Sequence, residues 1–305
     1  MAGASRIRRP VPSQRVRPPI AGHVAAYAVA LAISAVSLFP LYWMIVNSFR
    51  TDADISNGIV FWPESFHFSN YSRAWTALEN PFQVFLFNSF FLSLLVVIGV
   101  AISSLLVAYG FARFNFPGRG LLFGIVISTT MIPYAVMMIP QYAEFINVFH
   151  WGSGGALFGR ANLFQFLPMI VPAYFGSPVF IFLLRQFIRG IPYDLDEAAK
   201  IDGAGPLRIL RTIILPTVRP ALLAVIVLQF IGTWNDLLAP LIYLQDPQNW
   251  SIEIALLGYF SRYGTGANWA EFMAMALVTM TPILIVYFAA SRQIIQGVTL
   301  TGVKG

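Results

Sequence analysis

Residues 85–111 read FLFNSFFLSLLVVIGVAISSLLVAYGF, without a single Asp, Glu, Lys or Arg. A helix needs about 20 predominantly apolar residues to cross a bilayer, and this run exceeds that length. The rest of the chain agrees with it. Of 305 residues, 57% belong to the hydrophobic set and 10% are charged, against about 25% charged in soluble domains. Such a chain cannot clothe a water-exposed globule, and it is too apolar to stay disordered. Its apolar side chains face lipid, so the expected class is an all-α integral membrane protein.

Five further segments have the length and composition of spans, or nearly so: 24–46, 121–142, 169–187, 221–244 and 272–290. Pro133 and Pro140 interrupt the third span in chain order, and Pro172 and Pro178 the fourth. Each proline removes a backbone donor and kinks its helix, which is tolerated where neighbouring helices or cavity water satisfy the freed carbonyl. Plain packing geometry and a pathway lined by bent helices both fit. The first span is too long for a signal-peptide core and lacks a small-residue cleavage site, so it reads as a retained helix. Residues 1–22, rich in Arg and Pro, read as a disordered tail held by an anionic inner leaflet. Residues 23–305 read as one six-helix domain.

Basic residues set the orientation. Arg6, Arg8, Arg9, Arg15 and Arg17 precede the first span. Arg113 and Arg119 lie between the second and third. Arg185, Arg189, Lys200, Arg208, Arg211 and Arg219 lie between the fourth and fifth, and Arg292 and Lys304 follow the sixth. These fifteen share one side, while Arg50, Arg73, Arg160 and Arg262 make four on the other. The expectation is a multi-pass protein of the bacterial cytoplasmic membrane with both termini cytoplasmic. An even number of spans likewise puts both termini on one side. The net charge of +6 therefore reflects loops rather than nucleic-acid binding.

Several chemistries lack their residues. Cysteine is absent, which removes disulfides, thiolate metal sites and thiol nucleophiles. His23, His67 and His150 lie at or beyond span ends without metal-ligand spacing. Lys200 is followed by Ile201 and Lys304 by Gly305, so the G-x-x-x-x-G-K-[ST] phosphate loop cannot form. No H-E-x-x-H occurs. One acid, Asp236 in GTWND, falls within the span cores. A proton-driven transporter usually shows a relay of acids or His, and this chain shows none. Asp236 reads either as a pathway group that binds a solute hydroxyl or as a cap on helix ends.

The longest connection on the basic side, about 191–217, reads IPYDLDEAAKIDGAGPLRILRTIILPT. Asp194 with Glu197 three residues on is a capping-box variant, and the acids at 194, 196 and 197 suit a helix N-terminus. Gly203 supplies a left-handed stop. Pro206 opens a second short helix with Leu207, Leu210 and Ile214 on one stripe, and Pro216 ends it. Two short helices joined by a glycine turn form a knob whose crest, Ala198 and Ala199, lets another backbone approach. An ordinary helix pair resting on the bilayer surface explains the stripe but does not need an alanine pair framed by Glu197 and Gly203.

The string EAAKIDGAG with the later ILP resembles the EAA motif of ABC-importer permeases, and FLLRQFIRGIPYDLDEAAKIDGAG resembles the carbohydrate branch typified by the MalG subunit of the maltose transporter. Asn70-Tyr71, Asn88-Ser89, Pro133, Pro140, Trp234-Asn235 and Gly302-Val303-Lys304-Gly305 also match that family, so the likeness runs from about residue 30 to the C-terminus. The resemblance implies a type I importer bundle in which two permeases form one pathway. Two cytoplasmic ATPases bind ATP and Mg, and an extracytoplasmic protein delivers a sugar. It implies no catalytic residue, cofactor or metal on this chain. Glu197, Ala198, Ala199, Asp202 and Gly203 would be the coupling residues, with Glu197 meeting a polar or basic partner. Asn88, Asn235 and Asp236 are the pathway candidates. The outward loop 245–269, with Tyr259, Tyr263 and Gly264, would meet the binding protein or form a plain surface hairpin. The C-terminal tail would reach between the ATPases. ABC permeases for glycerol phosphodiesters, polyols or peptides are the alternative, with a secondary transporter more remote. The absence of Arg and Lys from span centres favours a neutral solute.

Overall fold

A computed structural model describes the backbone of residues 20–58, 60–151, 163–263 and 268–301, and the side chains of 24–58, 60–151, 164–261 and 268–291. The expected tail 1–22 lies almost wholly outside them. Fourteen α-helices and a few short 3-10 and π turns make up the described chain, and no strand occurs among the described residues. Five helical stretches are long and apolar enough to cross a membrane, and a bent pair makes a sixth.

The central post is α4 (Phe82–Arg113). It packs against α8 (Pro178–Arg189), α11 (Leu215–Trp234) and α13 (Ile252–Tyr263). Several of its polar side chains have a common use. Asn88 Nδ2 donates to the carbonyls of Gln248 and Trp250 at 2.8 and 3.0 Å. Ser89 Oγ accepts the Ile252 amide at 2.8 Å, and Ser104 Oγ accepts the Ser177 amide at 3.1 Å. Irregular backbone within a membrane domain must be satisfied by protein, and α4 satisfies it from within its own apolar face. Gly99 allows the closest approach, since a Cβ there would lie 2.7 Å from the Tyr174 ring.

The proline-bearing spans depart from simple kinks. The third is α5 (Arg119–Ser128), a turn at Thr129–Met131 and α6 (Tyr134–Asn147), with an angle of 97° between the halves. The break falls at Pro133, which caps α6 in extended conformation, whereas Pro140 sits inside α6. The fourth runs through short pieces, including α7 (Leu167–Ile170) and the turn Val171–Phe175, before Pro178 opens α8.

The fifth span corrects two expectations. Pro216 does not end a helix. A short helix, α10 (Pro206–Ile209), passes through a π-helical turn at Leu210–Ile214 straight into α11. Proline lacks the N–H that α-helical bonding requires and crowds the preceding turn, and the wider π turn just before Pro216 absorbs both. The helix then stops at Trp234, ten residues short of the expected end, and α12 (Leu238–Tyr243) follows.

On the side of the molecule remote from 191–217, α1 (Ile20–Ser48), α2 (Asp52–Ser56), α3 (Ser69–Trp75) and α14 (Trp269–Thr301) meet. Asn70 Nδ2 donates to the carbonyls of Ser48 and Arg50, Arg73 Nε donates to Glu271 Oε1 at 2.7 Å, and Asp52 Oδ1 accepts the Ala270 amide. Most of α1 is exposed, as for a helix bathed in lipid.

Candidate functional site

The motif forms a helix and turn at one end of the bundle. α9 (Asp194–Ile201) begins with three acids in its first turn. The expected capping box is absent. Tyr193, with helical φ and ψ, holds the N-cap position and no side chain caps the helix. The acids act through their charge at the helix N-terminus instead. The stop is as read. Gly203 has φ +79°, its amide bonds to Lys200 O at 3.0 Å, and the Ala204 amide bonds to Ala199 O at 2.8 Å. That pair of bonds is a Schellman closure.

Glu197, Ala198, Asp202 and Gly203 are exposed and Ala199 is partly so. Nothing lies within 4 Å of a Cβ built on Gly203. Around the alanine crest stand Leu195, Ile201 and Leu207, with Ile201 87% exposed. The arrangement offers a small-residue ridge with apolar flanks and the acids Glu197 and Asp202 at its edges, which suits docking against another protein rather than chemistry.

One residue of the same turn faces inward and was missed. Asp196 Oδ2 lies 3.0 Å from Arg113 Nε, with the side chains 3% and 7% exposed. Arg113 Nη2 donates to Ile191 O at 3.1 Å, and its guanidinium lies 5.5 Å from the centre of the Tyr193 ring. Tyr109 OH donates to Pro206 O at 3.1 Å. The last turns of α4 are thus tied to both arms of the knob. Arg113 was read as a loop charge. The available signal was an Arg at a span end facing an acid of the next loop on the same membrane side.

The three pathway candidates separate. Asn88 is fully buried, and its amide serves the two carbonyls named above. It therefore holds the backbone of 248–250 and is buried in the single chain. Asn235 is exposed and donates to Ile231 O at 2.9 Å, closing α11. Asp236 Oδ1 accepts the amides of Leu238 and Ala239 at 3.0 and 3.3 Å, the first turn of α12. The helix-capping alternative holds for Asp236, which also borders a cavity of about 250 Å³.

The outward-loop candidates fare differently. Tyr259 is 3% exposed and its hydroxyl donates to Glu271 Oε2 at 2.6 Å. It is a structural strut that ties α13 to α14 and offers no stacking face. The reason is register, since the loop is largely the helix α13, whose inner face carries Tyr259. Tyr263 ends that helix with its side chain outside the described residues, and Gly264 lies outside them altogether, as do residues 302–305. Among the described residues no cluster of His, Asp and Glu suits a metal ion.

Residues 99–299 match the family described as the binding-protein-dependent transport system inner membrane component. The chain belongs to that family, and its fold is that of an ABC-importer permease. It is 30% identical over 276 residues to the diacetylchitobiose uptake system permease protein NgcG of Streptomyces coelicolor, covering 90% of this chain and 86% of that one. It is 29% identical over 289 residues to the arabinooligosaccharides transport system permease protein AraQ of Bacillus subtilis (92% and 97% covered). A further relative is the sn-glycerol-3-phosphate transport system permease protein UgpE of Yersinia pestis, 29% identical over 265 residues (85% and 90%). A chain of a bacterial ABC transporter involved in the import of alginate superposes with a TM-score of 0.73 at 21% identity, covering 93% of this chain and 99% of that chain.

Proposed function

We propose that this chain is the permease subunit of an ATP-driven importer of a neutral sugar or oligosaccharide. It pairs with a second permease, receives solute from an extracytoplasmic binding protein, and docks two ATPases through 191–217 on the cytoplasmic side, where both termini also lie. ATP and Mg belong to the ATPases. The exposed ridge of Glu197, Ala198, Ala199, Asp202 and Gly203, closed by a glycine at φ +79° and tied to α4 by a buried ion pair, carries this reading. The importer's energy must enter through a rigid body, and the buried ion pair fixes this projection to α4. ATPase closure then biases a two-state equilibrium of the spans at a distance.

Relatives named for oligosaccharides support the sugar. The relative named for sn-glycerol 3-phosphate favours a second reading, an organophosphate importer. Among the described residues no Lys or Arg borders the cavity beside Asp236, which weighs against an anion. Thermal shift of the cognate binding protein with neutral sugars against glycerol phosphates separates the two.

Docking is tested by Ala199→Trp and Gly203→Asp in the reconstituted importer. Overpacking a tight contact costs about 1–3 kcal/mol, roughly a tenfold to hundredfold loss of docking. Both variants should still pair with the second permease but lose the ATPases, or hydrolyse ATP without moving solute. Normal coupling in both would remove the assignment.

A further inference from the structure

We propose that the cavity bordered by α4, α6, α7, α11 and α12 is a subsite on this chain for one unit of a neutral polyhydroxylated solute. The inference rests on the importer reading above and adds to it a direct contact between this subunit and its cargo. The cavity holds about 250 Å³, far above the roughly 10–15 Å³ that one water needs and near the lower end of the about 300–1,000 Å³ of small-molecule pockets.

Its lining is unusual for membrane-embedded helices. Leu92 and Val96 of α4 give an apolar wall, while Tyr134, Gln141, Gln229, Thr233, Asp236 and Tyr243 bring polar groups from three other elements. Polar side chains within spans are costly and commonly face a cavity or pathway. Gln229 Nε2 donates to Thr233 Oγ1 at 2.9 Å, which orients the amide. Tyr243 is the second observation. It is 3% exposed, and its hydroxyl has no hydrogen-bond partner. A buried hydroxyl left unpaired is destabilising. A solute hydroxyl would satisfy it.

The donor set selects the chemistry. Tyrosine hydroxyls and glutamines both donate and accept, and the carboxylate of Asp236 accepts. The ring of Tyr134, 45% exposed, offers a flat apolar face for the C–H face of a sugar ring. An anionic group would meet Asp236 without a compensating cation. Hydroxyl groups on a neutral ring fit all of these contacts.

The wild-type chain has no cysteine, so an introduced thiol is unique within this subunit. Val96→Cys and Met169→Cys place one on either wall, in the importer assembled with its second permease and ATPases (both cysteine-free) in lipid nanodiscs. Ile33→Cys on exposed α1 is the lipid-facing control. A charged methanethiosulfonate should label the two cavity thiols and not the control. Diacetylchitobiose, an arabinooligosaccharide and melibiose are then added in turn, with sn-glycerol 3-phosphate as the anionic probe. At ten times its dissociation constant a bound probe slows labelling about tenfold. Protection by at least one neutral sugar, weakened roughly two- to tenfold in affinity by Tyr243→Phe as for one lost hydrogen bond, supports the subsite. Unreactive cavity thiols, protection by the phosphate alone, or no protection by any sugar would overturn it. Co-purification of the ATPases from the same samples reports on the importer reading separately, so a failed subsite and a failed permease assignment look different.

Discussion

At the scale of single residues, Asp236 shows how a costly intramembrane acid is accommodated. It needs no cation, because two backbone amides of α12 bond to one of its oxygens. Asp236→Ala should therefore lower stability by about 0.5–2 kcal/mol, the usual cost of losing such a cap, while Asp236→Asn keeps most of it. Chemical denaturation of the purified subunit in detergent checks the difference. Asp54 is a second capping carboxylate, outside the spans. The Thr51 hydroxyl and then the Thr51 amide bond to it, and together they hold its pKa below the ordinary 3.8. A depressed carboxylate pKa contributes stability above the unfolded value and loses it as pH falls through the folded one. The stability difference between wild type and Asp54→Asn should thus hold well above 3.8, begin to shrink as pH falls toward 3.8, and vanish only once pH passes below the lower folded value. A difference that persisted unchanged at pH 3 would show that the Thr51 bonds do not favour the charged form.

At the scale of elements, α9 can transmit force because it is not a free loop. Its outer face is bare, and its inner face is pinned to α4 by Asp196 and Arg113. Removing one member of a buried pair leaves an uncompensated charge at a cost of about 3–5 kcal/mol, whereas replacing both by apolar residues can be nearly neutral. Asp196→Leu or Arg113→Met alone should destabilise the subunit and lower solute moved per ATP. The double variant should recover most of the stability. A double-mutant cycle on denaturation midpoints reads the interaction, and additive single effects would mean that the pair is not coupled. The π turn before Pro216 belongs to the same element, since it lets the second arm of the knob continue into α11 as one rod. Sequence reasoning placed a stop there, because it treated proline as a terminator and had no term for a widened turn.

At the scale of the whole molecule, the asymmetry of basic residues predicts that residues 191–217 face the cytoplasm. Cysteine at Ser56 should react with an impermeant thiol reagent in intact cells, and cysteine at Ala204 should not. Labelling at Ala204 from outside would invert the topology and move α9 away from the ATPases. The third span also has its meaning at this scale. α5 and α6 have no buried residue in the single chain, and after the 97° bend α6 brings Tyr142 and Phe145 against Tyr243.

The sequence alone determined the membrane class, the apolar spans, and the EAA string with its glycine stop. These depend on properties that add along the chain: apolar length, loop charge, and a backbone conformation that one residue type adopts cheaply. Tertiary structure alone decided which polar residues are structural. Asn88 and Tyr259 were read as candidates for contact with solute or binding protein. Both prove to be internal struts, because their partners lie 160 and 12 residues away and only the fold brings them together. Asp196 was read as one helix-start acid among three, and its burial against Arg113 depends on the angle at which α9 returns to α4. The cavity was equally hidden. Gln229 and Thr233 are an unremarked i, i+4 pair until α6, α7 and α12 close around them, since a cavity is a property of several elements at once and leaves no period in any one of them.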